Sequence, residues 1–154
     1  MGGVLVNLAY SAPPSAIVRA PDKTITFTGG AGAGVAGGNV TVYTITGRVL
    51  LVHFPSPFCT TLLTEAGATA TVSLGVTSSV GRFIAATNSV DIDANEWWTV
   101  SPGIAAGFDI ALDGAGPAIS DNIIIACATQ NTNAGVLVFQ GIYYIPLTAG
   151  AGLA

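Results

Sequence analysis

The chain has 154 residues, 51% of them apolar and only 8% charged, with a formal net charge of −4. An ordinary soluble domain carries about 25% charged residues, so the composition excludes intrinsic disorder, which needs low hydrophobicity and high charge. Four basic residues against eight acidic ones exclude the electrostatic footprint of a nucleic-acid binder.

The length fits one domain. A surface so poor in charge calls for a cover of lipid, of a partner, or of further copies of the chain. A membrane-spanning helix needs about 20 consecutive apolar residues. Residues 1–18 are uncharged but contain Asn7 and the Pro13-Pro14 pair. No Lys or Arg precedes their apolar part, so the basic region of a signal peptide is missing and synthesis in a reducing cytoplasm is expected. Residues 122–154 are also uncharged, but Gln130-Asn131-Thr132-Asn133 cuts them into strand-length pieces. A transmembrane barrel would need a polar lumen face on each strand, and none is visible. No membrane association is therefore expected.

Taken in chain order, residues 1–38 read as an N-terminal arm and a glycine-rich hinge. Pro13-Pro14 cannot continue a helix or a central strand, so the arm is extended. Thr24 to Thr28 alternates as a short strand. Six of the ten residues from Gly29 to Gly38 are glycine, which predicts a flexible hinge or a tip loop. From Asn39 the pattern is β almost throughout. Asn39–Ile45 and Arg48–His53 are strands, and Phe54-Pro55-Ser56-Pro57-Phe58 is a corner whose prolines remove ladder donors. Cys59–Thr64 follows. Val72, Leu74 and Val76 then alternate with Thr71, Ser73 and Gly75. Arg82–Ala86, Trp97–Val100, Phe108–Leu112, Ile123–Ala128 and Val136–Leu147 complete the series. The breaks are Gly, Asn, Asp and Pro clusters. Short strands at such spacing predict an all-β antiparallel β-sandwich, with a jelly roll as one form of it. The body is expected at 39–147 and a C-terminal tail at 148–154.

The last stretch has two apolar faces. Val136, Val138, Ile142 and Tyr144 are expected on one, and Leu137, Phe139, Tyr143, Ile145 and Leu147 on the other. In an antiparallel sandwich the second apolar face implies a cover, read here as a subunit interface. Trp97 and Trp98 are adjacent and so point to opposite faces. One fills the core; the other, taken as Trp98, anchors a subunit contact or stacks on a sugar ring.

No catalytic constellation stands out. His53 ends an apolar strand, and no oxyanion donor or third group accompanies it and Cys59. Cys59 and Cys127 each lie in an apolar stretch and read as buried, reduced thiols. Gly32-Ala-Gly34-Val-Ala-Gly37 has the letters of a dinucleotide-binding turn, but a strand follows it where a helix is required. Asp91-Ile-Asp93-Ala-Asn95-Glu96 matches the start of an EF-hand loop, yet Glu96 and Pro102 occupy the positions that need Gly and Glu. A weaker Ca²⁺ site from Asp91, Asp93 and Asn95 stays open beside the reading as an acidic turn. No cofactor is expected.

The segment Ala70–Trp98 carries Leu74-Gly75-Val76, Ile84-Ala85-Ala86-Thr87, Ile92-Asp93-Ala94 and Glu96-Trp97. With Val42–Leu63 before it, it resembles small structural proteins of tailed bacteriophages over about half of the chain. That resemblance implies a virion component assembled in the host cytoplasm, such as a capsid decoration (cement) protein or minor head protein. It supplies no catalytic residues. The expectation is thus a non-enzymatic virion protein that self-associates, as a trimer, and binds the major capsid protein. The arm through Val4, Leu5, Val6 and Tyr10 would reach a neighbour or the shell. The interface set is completed by Trp98, Leu137, Phe139, Tyr143, Ile145 and Leu147. Alternatives are a tail-tip, fibre or baseplate component, or a carbohydrate-binding module on the virion.

Overall fold

The computed structural model describes residues 17–30, 33–52, 55–65, 67, 69–99 and 118–154. The expected contacts of Val4, Leu5, Val6 and Tyr10, the strand at Phe108–Leu112 and the surroundings of His53 lie outside these residues.

The strands are β1 (Val18–Arg19), β2 (Lys23–Phe27), β3 (Asn39–Tyr43), β4 (Ile45–Thr46), β5 (Val49–Leu51), β6 (Phe58–Glu65) and β7 (Thr71–Val76). They continue with β8 (Ser79–Asn88), β9 (Glu96–Trp97), β10 (Ala118–Ile119), β11 (Ile123–Ala128), β12 (Thr132–Phe139), β13 (Tyr143–Pro146) and β14 (Gly152–Leu153). A 3-10 turn at Ser89–Asp91 separates β8 from β9. Every strand pairing is antiparallel.

One sheet has the order β3-β11-β7-β8. Two further four-stranded sheets, β2-β12-β6-β9 and β1-β13-β5-β10, follow one another along the chain at β1–β2 and β12–β13 and are taken together as one bent sheet opposite the first, while β14-β4 is a separate pair. The Ala20 amide donates to the Ile142 carbonyl at 2.8 Å and carries the ladder across that bend. With the β4–β14 pair set apart, and with β1 and β2, β5 and β6, β9 and β10, and β12 and β13 each counted as one position (residues 100–117 between β9 and β10 lying outside the described residues), the chain has eight positions. One sheet then reads first-eighth-third-sixth and the other second-seventh-fourth-fifth, which is the order of a jelly roll. The expected antiparallel sandwich is thereby observed, and on this count its strand order matches that of a jelly roll.

The core lies between the sheets. Phe27, Cys59, Leu63, Leu137 and Phe139 from the bent sheet meet Val42, Tyr43, Val72, Leu74, Val76, Ile84, Ile123, Ile125 and Cys127 from the other. Tyr43 and Phe139 touch edge to face across the gap, with centroids 6.3 Å apart. Val72, Leu74 and Val76 are each fully buried as expected, but Ser73 and Gly75 between them are buried too, so β7 is covered on both faces where a half-buried strand was expected. Burying a side chain of this size contributes about 1.5–3 kcal/mol.

Two expectations about organisation change, and one open alternative is decided. Residues 18–27 belong to the sandwich rather than to an arm, because β1 pairs with β13 and β2 with β12. Residues 148–154 are more than a tail, since β14 pairs with β4 and Leu153 is buried. Of the two readings of the glycine-rich stretch, hinge or tip loop, its described part takes the tip loop, held by hydrogen bonds. Thr132 and Gly37 amides donate to Gly34 and Cys127 carbonyls at 2.8 Å each. Asn131 accepts from the Ala36 amide and donates to the Gly29 carbonyl. Gly34 has φ +100°, and a Cβ there would collide with the Thr132 carbonyl oxygen. Glycine thus serves close approach and a left-handed backbone, where composition alone suggested freedom.

The stretch Val136–Leu147 is two strands. Gly141, at φ +66°, sits in the turn between β12 and β13. The inward set switches there from Leu137 and Phe139 to Ile142 and Tyr144. One residue added between strand segments moves every following side chain to the other face.

Candidate binding surface

The bend sorts the expected interface residues. Leu137 and Phe139 are fully buried in the chain's own core. Their expected role at a subunit interface is corrected, because the opposite sheet already covers them. Trp98 is likewise a core residue, 4% exposed, and its indole Nε1 donates to Thr87 Oγ1 at 3.3 Å. Adjacent residues diverge as expected, but the outward one is Trp97, at 51% exposure. Pairing of Trp97 with Phe58 puts the two rings together on the outer face, 5.2 Å apart and inclined at 63°.

Tyr143, Ile145 and Leu147 do share an outward surface. Tyr143 and Leu147 are exposed and Ile145 is half-buried. β5 lies alongside them, with Ile145 paired to Leu50 and the Val52 amide donating to the Tyr143 carbonyl at 2.9 Å. Along β5 Val49 and Leu51 are buried, so Leu50 and Val52 point outward. Ala118 of β10 pairs with Leu50 on the far side. On the near side Arg19 pairs with Tyr143, and Ile17, two residues earlier, is exposed. The outer face of β1-β13-β5-β10 is therefore an apolar patch on a sheet face that ordinarily alternates to polar residues.

Charge is confined to the edges of this patch. Arg19 is held by Asp22 through an exposed ion pair of 2.8 Å, worth about 0–1 kcal/mol. Arg48 stands opposite Leu147, whose amide donates to the Arg48 carbonyl. Nothing in the uniformly apolar run Val49-Leu50-Leu51-Val52 singles out Leu50 and Val52. Only the register shows that they extend the patch from β13.

A separate cleft of about 380 Å³ opens at the other end of the bent sheet. Thr87, Asp91, Ile92, Glu96, Trp97, Trp98 and Thr99 line it. Asp91 closes the 3-10 turn, and Asn95 holds the next turn with φ +67° while its amide donates to the Cys59 carbonyl at 2.8 Å. Asp91, Asp93 and Asn95 are all exposed. Among the described residues no three His, Cys, Asp or Glu side chains are grouped to hold a metal ion.

Cys59 and Cys127 are buried free thiols on opposite sheets. Burial is the main cause that pushes both thiols above their ordinary pKa, and Asp93 and Glu96 push Cys59 further in the same direction. Such thiols are poor nucleophiles. No helix among the described residues is long and apolar enough to cross a membrane. A scan against protein-family models and searches of curated proteins and of solved structures find no match to this chain.

Proposed function

We propose that the chain is a non-enzymatic structural protein of a tailed-bacteriophage virion, a capsid decoration protein that self-associates and binds the major capsid protein. The observation that carries this reading is the apolar outer face formed by Tyr143, Ile145, Leu147, Leu50 and Val52. A standard protein interface buries about 800 Å² per partner, with aromatic residues enriched and charge depleted at its centre. The patch has that chemistry, and its cations stand at the rim. The likeness of Ala70–Trp98 to phage structural proteins supports the virion setting. The jelly roll is compatible with it, since viral capsid domains use this order, although fold alone does not assign function.

Closed symmetry is the common way to hide a patch repeated on every copy, and a trimer is proposed. On a shell, many equivalent sites add avidity to modest single-site affinity. The test is the mass of the purified protein by light scattering at micromolar concentration. A homo-oligomer is expected, and a Tyr143→Glu, Leu147→Glu double variant should run as a folded monomer. A monomeric parent chain overturns the self-association. Copy number per particle tests the capsid position: hundreds are expected, and a handful would place the protein in the tail.

A further inference from the structure

We infer that the cleft beside Trp97 is a binding site for a neutral saccharide of one or two rings, separate from the assembly patch. Stacking on a sugar requires an aromatic ring with open surface and, beside it, planar acceptors and hydroxyls. The structure brings these together. Trp97 is half exposed and steadied from one side by Phe58. Asp91, Glu96 and Thr99, all exposed, line the same cleft, and Thr87, whose hydroxyl accepts from Trp98 Nε1 and donates to the Ala85 carbonyl at 3.1 Å, belongs to its floor.

Each part matches one property of a pyranose. The negative face of an indole attracts the positive edge of a C–H-rich ring face. An ionised carboxylate has only acceptor sites, with room for two hydroxyl donors from neighbouring ring carbons. Such charge-assisted bonds are stronger than neutral ones. The volume, about 380 Å³, lies at the small end of ligand clefts, which run roughly 300–1,000 Å³. No Lys or Arg lines the cleft, so the two carboxylates repel acidic sugars.

The supports of the site are fixed before any ligand arrives. Trp98 is anchored in the core and by Thr87, which sets the floor. Trp98 and Asn95 amides donate to the Pro57 and Cys59 carbonyls at 2.9 and 2.8 Å, which ties the Trp97 segment to β6. A rigid aromatic held this way loses little conformational entropy on binding.

The test uses the full chain, fluorescently labelled, on an array of neutral, amino and acidic glycans. Sugars that are retained are then titrated against the unlabelled protein by tryptophan fluorescence, with choline titrated in parallel. Binding of a neutral glycan is expected. Trp97→Ala should weaken it more than tenfold, and Asp91→Asn and Glu96→Gln several-fold each. Melting temperature should stay within a few degrees, because all three side chains are exposed. Absence of any retained neutral glycan overturns the inference, as does undiminished binding by Trp97→Ala. Choline binding without sugar binding would identify a cation site and overturn it equally. Oligomeric mass, measured on the same samples, separates failure of this site from failure of the assembly reading.

Discussion

Tyr43 joins the two sheets at the scale of one side chain. Its ring lies edge-on to Phe139, and its hydroxyl donates to the Pro21 carbonyl at 3.0 Å, beside the bend of the outer sheet. Burial chiefly, with Asp22 adding to it, pushes its pKa up to about 12 from 10.0. A phenol that is harder to ionise in the fold than in the unfolded chain contributes full stability below pH 10. That contribution is lost as pH rises from about 10 through 12, because only the unfolded chain then releases the proton. Urea unfolding near pH 8 and near pH 11.5 should show a larger alkaline loss in the parent protein than in Tyr43→Phe. At pH 8 the variant should be weaker by about 1 kcal/mol, the worth of one hydrogen bond. Equal alkaline losses in the two proteins would remove Tyr43 from this role. The tryptophan pair teaches a different point at the same scale. Strand geometry predicts that Trp97 and Trp98 diverge, but nothing in the letters WW says which of them faces inward. The pairing of Trp97 with Phe58 decides it, and Phe58 is 39 positions away.

Strand existence was legible in the sequence where alternation or a buried apolar run was strong, as in Ile123–Ala128, found at the bounds expected. The phase across a bend was not legible. β12 and β13 read as one strand because no proline or glycine pair interrupts Gln140-Gly141-Ile142, yet the single glycine there switches the inward set. That switch moved Leu137 and Phe139 into the core and left Tyr143, Ile145 and Leu147 outside. The outward placement expected of Tyr143, Ile145 and Leu147 is thus observed, and that of Leu137 and Phe139 is not, because of one extra residue. A similar limit affected the amino-terminal boundary. Val18–Arg19 is too short to register as a strand alone, and only pairing with β13 gives it a place. A truncation separates the two readings. Removing residues 1–16 should leave the cooperative unfolding transition in place. Removing residues 1–23 strips β1 from the bent sheet and the Pro21 acceptor from Tyr43, and should lower stability by several kcal/mol or prevent folding. Equal melting temperatures for the two truncations would show that β1 is dispensable.

For the whole molecule, the jelly-roll order explains how a chain with so few charges folds around one core. Apart from the β7–β8 pair, successive strand positions fall in opposite sheets, so each sheet gains an apolar inner face largely from segments distant in sequence. The outer faces are then free to differ. On the bent sheet, Thr24 and Thr26 keep part of the surface polar, whereas Tyr143, Leu50 and Val52 make another part apolar. Among the described residues the exposed apolar side chains include this patch together with Leu62, Val80, Val90 and Trp97 elsewhere on the surface. If copies associate through that patch, folding and association are linked, and the native state gains stability from mass action. The apparent melting temperature should then rise with protein concentration across a hundredfold range. In the Tyr143→Glu, Leu147→Glu variant it should become independent of concentration, while that variant keeps the melting temperature of the dilute parent protein. The two substitutions change only exposed positions, so a large loss at every concentration would mean that the patch is instead covered within the chain. A flat response in the parent protein, with the variant unchanged, would instead leave the apolar face without a role in self-association.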